Sequence, residues 1–138
     1  MYLLDTNIIS ELRRTRPHGA VLAWLRDIVD SDLHLSAVTI GELQAGIEMA
    51  REQNSTKASE LQAWLDRVVE TYNVIPMDGP AFRIWASLMH RKSEGLIEDA
   101  MIAATARLHG LTVVTRNVRD FAIFEVPTLN PFLNQTRP

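Results

Sequence analysis

Residues 2–7 read YLLDTN, a short apolar run that ends in three polar side chains. Such a run favours a buried strand, and the polar turn leads into Ile8, Ile9 and Leu12, which are spaced as on one face of a helix. A strand that passes directly into a helix is the beginning of a β-α-β unit. This stretch therefore predicts an α/β fold, with Asp5 at the carboxyl end of its first strand.

The remainder of the chain continues the alternation of strands and helices. Further strands are expected at residues 33–35, 74–75, 111–115 and 126–129, and further helices at residues 20–28, 38–51, 56–72, 80–92 and 97–109. This order predicts a three-layer α/β/α sandwich around a short, mainly parallel sheet with right-handed crossovers. We expect residues 1–132 to form one domain and residues 133–138 to be a C-terminal tail.

Apolar spacing predicts which helical faces point into the core, most clearly in the helix at residues 56–72. The predicted inward faces of the last three long helices are Leu61, Trp64, Leu65, Val68, Val69 and Tyr72; Phe82, Trp85, Leu88 and Met89; and Ile97, Ala100, Met101, Ala104 and Leu108. We interpret Trp24, Trp64, Trp85 and Phe82 as core or interface residues rather than as platforms for base stacking.

Composition sets the broad class of protein. The chain has 138 residues, a formal net charge of −3 and no cysteine. It contains no apolar run long enough to span a membrane and no signal-like N-terminus, so we expect a soluble, cytoplasmic protein without membrane association. The net charge gives no overall attraction to nucleic acid. Because Lys57 and Lys92 are the only lysines, 12 of the 14 basic residues are arginine, which suits phosphate binding but is explained equally well by codon preference.

Three acidic residues are predicted to meet at one edge of the sheet. Each has a structural explanation by itself: Asp5 as a helix cap, Glu42 in a capping box that begins at Thr39, and Asp99 in the first turn of a helix. The carboxyl ends of parallel strands and the first turns of the helices after them nevertheless lie along the same edge. We therefore expect these carboxylates to converge, on the assumption that the helix at residues 97–109 also begins there.

Crowded carboxylates raise one another's pKa unless a cation neutralises them. The chain lacks cysteine, and its four histidines (His18, His34, His90 and His109) show no metal-ligand spacing. Oxygen donors of this kind favour Mg²⁺ or Mn²⁺. Asn117 and Asp120 follow the predicted strand at residues 111–115 and extend the polar group, although a turn with a local hydrogen bond is the structural alternative for them.

Four segments resemble a known family. They are MYLLDTNIISEL (residues 1–12), LSAVTIGELQAGI (35–47), IEDAMIAATARLHG (97–110), and TVVTRNVRDF (112–121) followed by LNPF (129–132). In this order and spacing they are similar to PIN-domain proteins of the VapC toxin type. The resemblance implies an endoribonuclease that depends on Mg²⁺ or Mn²⁺. It also implies the toxin of a type II toxin–antitoxin system, held inactive by a VapB-type antitoxin and commonly a homodimer.

The same resemblance assigns the invariant acidic positions, and with them metal binding and catalysis, to Asp5, Glu42 and Asp99. The chain departs from the pattern at the fourth position, where many PIN domains have an acid directly after the Thr-Arg pair. Asn117 stands there, and an acid follows only at Asp120, so both are candidate catalytic residues. Because an amide oxygen brings no charge, a single metal is the firmer expectation and a second remains open.

Polar and basic residues near the predicted site are candidates for contact with RNA phosphate. Four of them are hydroxyl or amide residues for which capping and turn roles are the alternative: Thr6, Asn7, Ser36 and Thr115. Five arginines can grip phosphate around a pocket that would otherwise repel RNA, and a solvated helix end is the alternative for the first three: Arg13, Arg14, Arg16, Arg116 and Arg119.

Other classes of function fit the sequence less well. A phosphoaspartate receiver needs a late lysine, but none follows Lys92, and a haloacid-type phosphatase needs an acid at the position of Asn7. No Gly-rich phosphate loop supports nucleotide-cofactor binding. A PIN-like binding module without catalysis stays open, and Asn117 favours it. The helices between residues 38 and 72 carry more apolar surface than one sheet face can cover, which predicts a groove for an antitoxin helix.

Overall fold

A computed structural model describes residues 1–133 of the chain, so residues 134–138 of the predicted tail lie outside the described residues. The strands are β1 (Tyr2–Leu4), β2 (Leu33–Ser36), β3 (Asn73–Ile75), β4 (Thr112–Val114) and β5 (Thr128–Leu129). The α-helices are α1 (Thr6–Leu12), α2 (Gly19–Arg26), α3 (Ala37–Gln53), α4 (Ser55–Thr71), α5 (Gly79–Met89), α6 (Ile97–His109) and α7 (Val118–Ala122). Short 3₁₀ turns cover Asp30–Asp32 and Glu94–Leu96.

The strands form one parallel sheet in the order β3-β2-β1-β4-β5. The central strand is β1, in which Tyr2 pairs with Leu33 of β2 and with Thr112 of β4. Because all strands point the same way, Asp5, Ser36 and Thr115 lie at their carboxyl ends along one edge of the sheet. The predicted parallel α/β architecture is therefore confirmed, and it brings distant parts of the sequence together at that edge.

Successive residues of the strands supply the cores on the two sides of the sheet. Leu3 and Val113 face one side, where they pack with residues of α5, α6 and α7. Leu4, Val114 and Leu35 face the other side, where α1, α2, α3 and α4 cover them. This alternation follows from the two-residue period of a strand and produces the three expected layers.

Helix α6 is buried around most of its circumference. Ile102, Ala103, Ala104, Thr105 and Ala106 are consecutive and all buried. The alanine side chains leave room for close neighbours, and Gly110 closes the helix in the left-handed conformation (φ 65°), as the sequence predicts. Leu108, on the predicted inward face, is instead 36% exposed, because it lines an open pocket with Pro80, Arg83 and Ile84 of α5.

Two further inward assignments are wrong. Val69 and Phe82 are each 42% exposed, although both lie at helical spacing with buried neighbours. The Phe82 ring lies edge-on to that of Trp85, at a centroid distance of 5.9 Å. Periodicity identifies the apolar face of a helix but not how far the neighbouring elements cover it.

The ends of several elements differ from the sequence expectation. Helix α2 ends at Arg26 rather than at residue 28, α5 ends at Met89 rather than at residue 92, and β5 has only two residues. Helix α7 was not predicted, since its five residues are too few to show a helical period. Among residues 1–133, none of the helices combines the length and apolar character needed to cross a bilayer.

Candidate active site

Asp5 lies between β1 and α1, and three groups hold its carboxylate. Its Oδ1 accepts a hydrogen bond from the Thr6 backbone N–H at 2.8 Å, which caps α1 as expected. Its Oδ2 accepts from the Thr115 hydroxyl at 2.8 Å and from the Asn7 side-chain amide at 3.1 Å. Burial raises the pKa of the Asp5 carboxyl, and these hydrogen bonds offset part of that increase. Asp5 therefore caps α1 and, at the same time, presents a buried carboxylate whose orientation is fixed.

Glu42 lies in the second turn of α3. The capping-box interpretation of Thr39 and Glu42 is wrong, because Ser36 is the N-cap and accepts from the Val38 backbone N–H at 3.1 Å. Glu42 instead accepts a hydrogen bond at Oε1 from the Thr6 hydroxyl at 2.7 Å. Although Glu42 is an exposed residue, partial desolvation of its carboxyl in the cleft raises its pKa, as does the negative charge of Asp5, whereas the bond from Thr6 lowers it.

Asp99 lies in the first turn of α6, where the helix dipole favours negative charge. Its carboxyl nevertheless ionises less readily than an ordinary aspartate does. Burial, followed by the charges of Asp5, Asp120, Glu42 and Glu98, raises the pKa of Asp99 to about 6. Because Asp99 lines the same cleft as Asp5 and Glu42, the start of α6 lies at the same edge as β1 and α3.

One open cleft of about 660 Å³ connects these carboxylates. Its lining comprises Asp5, Thr6, Asn7, Ser10, Glu11, Arg13, Arg14, Glu42, Asp99 and Asn117. The structure thus brings together the three predicted acids, two of the hydroxyl and amide residues, two of the arginines and the fourth-position asparagine. The parallel sheet explains the convergence, since each acid follows or faces the carboxyl end of a strand.

Asn117 and Asp120, the two candidates for the fourth acidic position of the family pattern, lie in different places relative to the cleft. Asn117 is the N-cap residue of α7, lines the cleft, and donates its backbone N–H to the Thr115 hydroxyl at 3.0 Å. Asp120 is exposed on α7 and is absent from the lining, but its charge raises the pKa of both Asp5 and Asp99. Asn117 is therefore the nearer side chain, and Asp120 acts on the cleft through its charge.

The other residues predicted to contact RNA lie partly in the cleft and partly outside it. Arg13 and Arg14 line the cleft, whereas Arg16 is not among its lining residues. Arg116 lies at the rim, where its backbone N–H donates to Asn7 Oδ1 at 3.3 Å and its guanidinium stacks on Phe132 at 4.4 Å from the ring centroid. Arg119 is exposed on α7, and Ser36 is fully buried as the cap of α3.

Glu11 is a cleft residue that sequence reasoning missed. Its side chain is only 7% exposed, and its Oε2 accepts from the backbone N–H of His18 at 2.8 Å. Its Oε1 pairs with Arg14 at 3.3 Å. Burial alone would raise the pKa of Glu11, but the bond from His18 and the charge of Arg14 lower it below its ordinary value. Nothing in the local sequence signals this role, because an acid in the last turn of α1 looks like any solvated helical residue.

The donor set of the cleft fits a hard divalent cation. Asp5, Glu42 and Asp99 offer carboxylate oxygens, Asn117 offers an amide oxygen, and the mutual repulsion of the acids is relieved by positive charge. Within residues 1–133 the side chains do not form a closed cluster of three Asp, Glu or His around one point. The carboxylates therefore share a cleft rather than a preassembled cage.

Comparison with known proteins agrees with this architecture. A family model described as PIN domain matches residues 2–125. Toxin FitB of Neisseria gonorrhoeae is 36% identical over 96% of this chain and 99% of its own length. VapC ribonuclease Y4jK of Sinorhizobium fredii is 36% identical over 96% of this chain and 98% of its own. The crystal structure of FitAcB from Neisseria gonorrhoeae superposes with a TM-score of 0.84 at 36% identity, covering 96% of this chain and 99% of that one. The chain therefore belongs to the PIN-domain family.

Proposed function

We propose that this chain is the toxin of a type II toxin–antitoxin pair and that it hydrolyses RNA phosphodiester bonds as a metal-dependent endoribonuclease. The observation that carries the proposal is the single cleft that collects Asp5, which follows β1, with Glu42 of α3 and Asp99 of α6. Within it the charges of Asp5 and Glu42 raise the pKa of Asp99. The similarity of this chain to toxin FitB and to a VapC ribonuclease, over nearly its whole length, supports the same activity.

Asp5, Glu42 and Asp99 are the proposed metal ligands and catalytic residues. PIN-domain ribonucleases of the VapC type generally depend on a metal ion, and an all-oxygen donor set favours Mg²⁺, with Mn²⁺ as a substitute. A bound divalent ion neutralises charge on the phosphoryl oxygens and lowers the pKa of an attacking water. Asn117 is proposed to orient a ligand through its amide, and Asp120 to tune the cleft from its edge.

Basic side chains at the mouth of the cleft are proposed to hold the RNA backbone. Arg13 and Arg14 line the cleft directly, and the rim carries Arg116 and Arg119. Guanidinium groups form charge-assisted bonds with phosphate and compensate for the negative net charge of the chain. Thr6, Asn7 and Thr115 already bond to the catalytic carboxylates, so their role is to orient those groups more than to contact RNA.

The proposed antitoxin partner has a candidate docking groove beside the cleft. A cavity of about 310 Å³ between α1 and α4 is lined by Leu12, Trp64, Arg67, Val68, Thr71 and Tyr72. Its lining combines the apolar and aromatic side chains of Leu12, Trp64, Val68 and Tyr72, a composition that suits an apolar partner helix. We propose that an apolar antitoxin helix binds here and that the toxin itself is a homodimer. RNA as substrate makes the cytoplasm the expected site of action.

The proposed activity is tested by cleavage of a structured RNA by the purified chain in Mg²⁺, in excess EDTA, and after Mg²⁺ or Mn²⁺ is restored. We expect cleavage to stop in EDTA and to return with either ion. Undiminished cleavage in EDTA would exclude the metal-dependent reaction. A PIN-like module that binds without catalysis is the second candidate, favoured by the uncharged Asn117 in the cleft, and it predicts RNA binding without cleavage under every condition.

A further inference from the structure

Thr39 is a fully buried hydroxyl residue on α3, behind the wall of the cleft that carries Glu42. Its Oγ1 lies 3.1 Å from Thr6 Oγ1. The Thr6 hydroxyl in turn lies 2.7 Å from Glu42 Oε1. Three side chains from two helices thus form a short chain of hydrogen bonds that begins in the core and ends at a carboxylate in the cleft.

The direction of these bonds follows from the number of protons. A hydroxyl has one proton to donate, and an ionised carboxylate has none. The Thr6 hydroxyl therefore donates its proton to Glu42 Oε1, which is the shorter contact, and the Thr39 hydroxyl donates its own proton to Thr6 Oγ1. Bonds arranged head to tail in this way strengthen one another in a medium of low dielectric constant.

We propose that Thr39 is a positioning residue for Glu42, because its buried hydroxyl commits the single proton of Thr6 to the Glu42 carboxylate. The inference rests on the proposed function, in which Glu42 is a metal ligand. Among residues 1–133, Thr6 is the one hydrogen-bond donor to that carboxylate, so the orientation of an otherwise exposed Glu42 depends on it. Groups that orient metal ligands typically contribute about 10-fold or more to metal affinity.

Thr39→Val and Thr39→Ser form a matched pair for the test, since valine keeps the shape of threonine without its hydroxyl and serine keeps the hydroxyl. Mn²⁺ affinity of each purified full chain is measured by isothermal titration calorimetry, with the fold checked by circular dichroism. We expect Thr39→Val to bind Mn²⁺ about 10-fold more weakly than the wild type and Thr39→Ser to bind within about 2-fold of it. Should Thr39→Val not fold, Thr39→Ala removes the same hydroxyl.

A Glu42→Ala background separates positioning from a general structural effect, because alanine has no oxygen for Thr6 to orient. If Thr39 acts through Glu42, Thr39→Val causes no further loss of Mn²⁺ affinity once the carboxylate is gone. An equal loss in both backgrounds, or wild-type affinity in Thr39→Val, overturns the positioning role while leaving the metal site intact. Absence of Mn²⁺ binding by the wild-type chain overturns the proposed metal site and this inference together, so the two failures are distinguishable.

Discussion

The hydroxyl of Thr115, at the end of β4, donates to Oδ2 of Asp5, at the end of β1, across 2.8 Å and 110 positions of sequence. Both residues are buried, and β1 and β4 are neighbouring parallel strands. The bond fixes a carboxylate that would otherwise be free to rotate within the cleft. It also ties the loop that carries Asn117 to the central strand, because the same hydroxyl accepts the Asn117 backbone N–H.

Thr115→Val should destabilise the fold because it leaves a buried carboxylate without its side-chain hydroxyl donor. We expect the free energy of unfolding to fall by about 1–3 kcal/mol, whereas Thr115→Ser, which keeps the donor, should lose less. Urea unfolding of the two variants beside the wild type measures the difference. Equal stability of the valine and serine variants would show that the hydrogen bond contributes nothing.

The raised pKa of Asp99 should make the stability of the metal-free chain depend on pH. Its ordinary value is 3.8 and the folded value is about 6. Between these values the folded chain retains a proton that the unfolded chain has lost, so the free energy of unfolding decreases as pH rises through this window. Asp99→Asn removes the titrating group, and it should be more stable than the wild type near pH 7 by on the order of 1 kcal/mol, allowing for solvent screening.

Urea unfolding in EDTA at about pH 4 and near pH 7 checks the dependence on Asp99. The wild type should lose more stability than Asp99→Asn between the two conditions. Added Mn²⁺ should reverse the order near pH 7, because a cation stabilises the ionised form of the carboxylate. Parallel pH profiles for the two proteins would contradict the assignment of the raised pKa to Asp99.

Asp120→Asn should reduce RNA cleavage less than Asp5→Asn does. Asp120 is exposed on α7 and influences the cleft only through its charge, which raises the pKa of Asp5 and Asp99. We expect a loss of less than about 10-fold for Asp120→Asn and of about 100-fold or more for Asp5→Asn, compared at saturating Mg²⁺. A loss as large as that of Asp5→Asn would instead make Asp120 a full ligand.

Much of the fold could be predicted from local patterns, and the three acids from those patterns together with the resemblance to PIN-domain proteins. The apolar run before Asp5 identifies a strand end, and the parallel sheet then brings Asp5, Glu42 and Asp99 to one edge. The contacts that orient these acids could not be predicted, since the bond from Thr6 to Glu42 joins residues 36 positions apart and depends on how α1 packs against α3. Glu11 was missed for the same reason, because its burial arises from the turn that returns His18 to it. Helix α7 was missed because it is too short to show a period.

The most direct test of the central claim is single-turnover cleavage of RNA in Mg²⁺ by the wild type, by Asp5→Asn and by Asp27→Asn. Asp27 is exposed at the end of α2, away from the cleft lining, and controls for the loss of one negative charge. We expect Asp27→Asn to cleave at the wild-type rate and Asp5→Asn to remain folded but to lose about 100-fold or more in rate. Cleavage by Asp5→Asn at the rate of Asp27→Asn would contradict the claim that this cleft is the catalytic site.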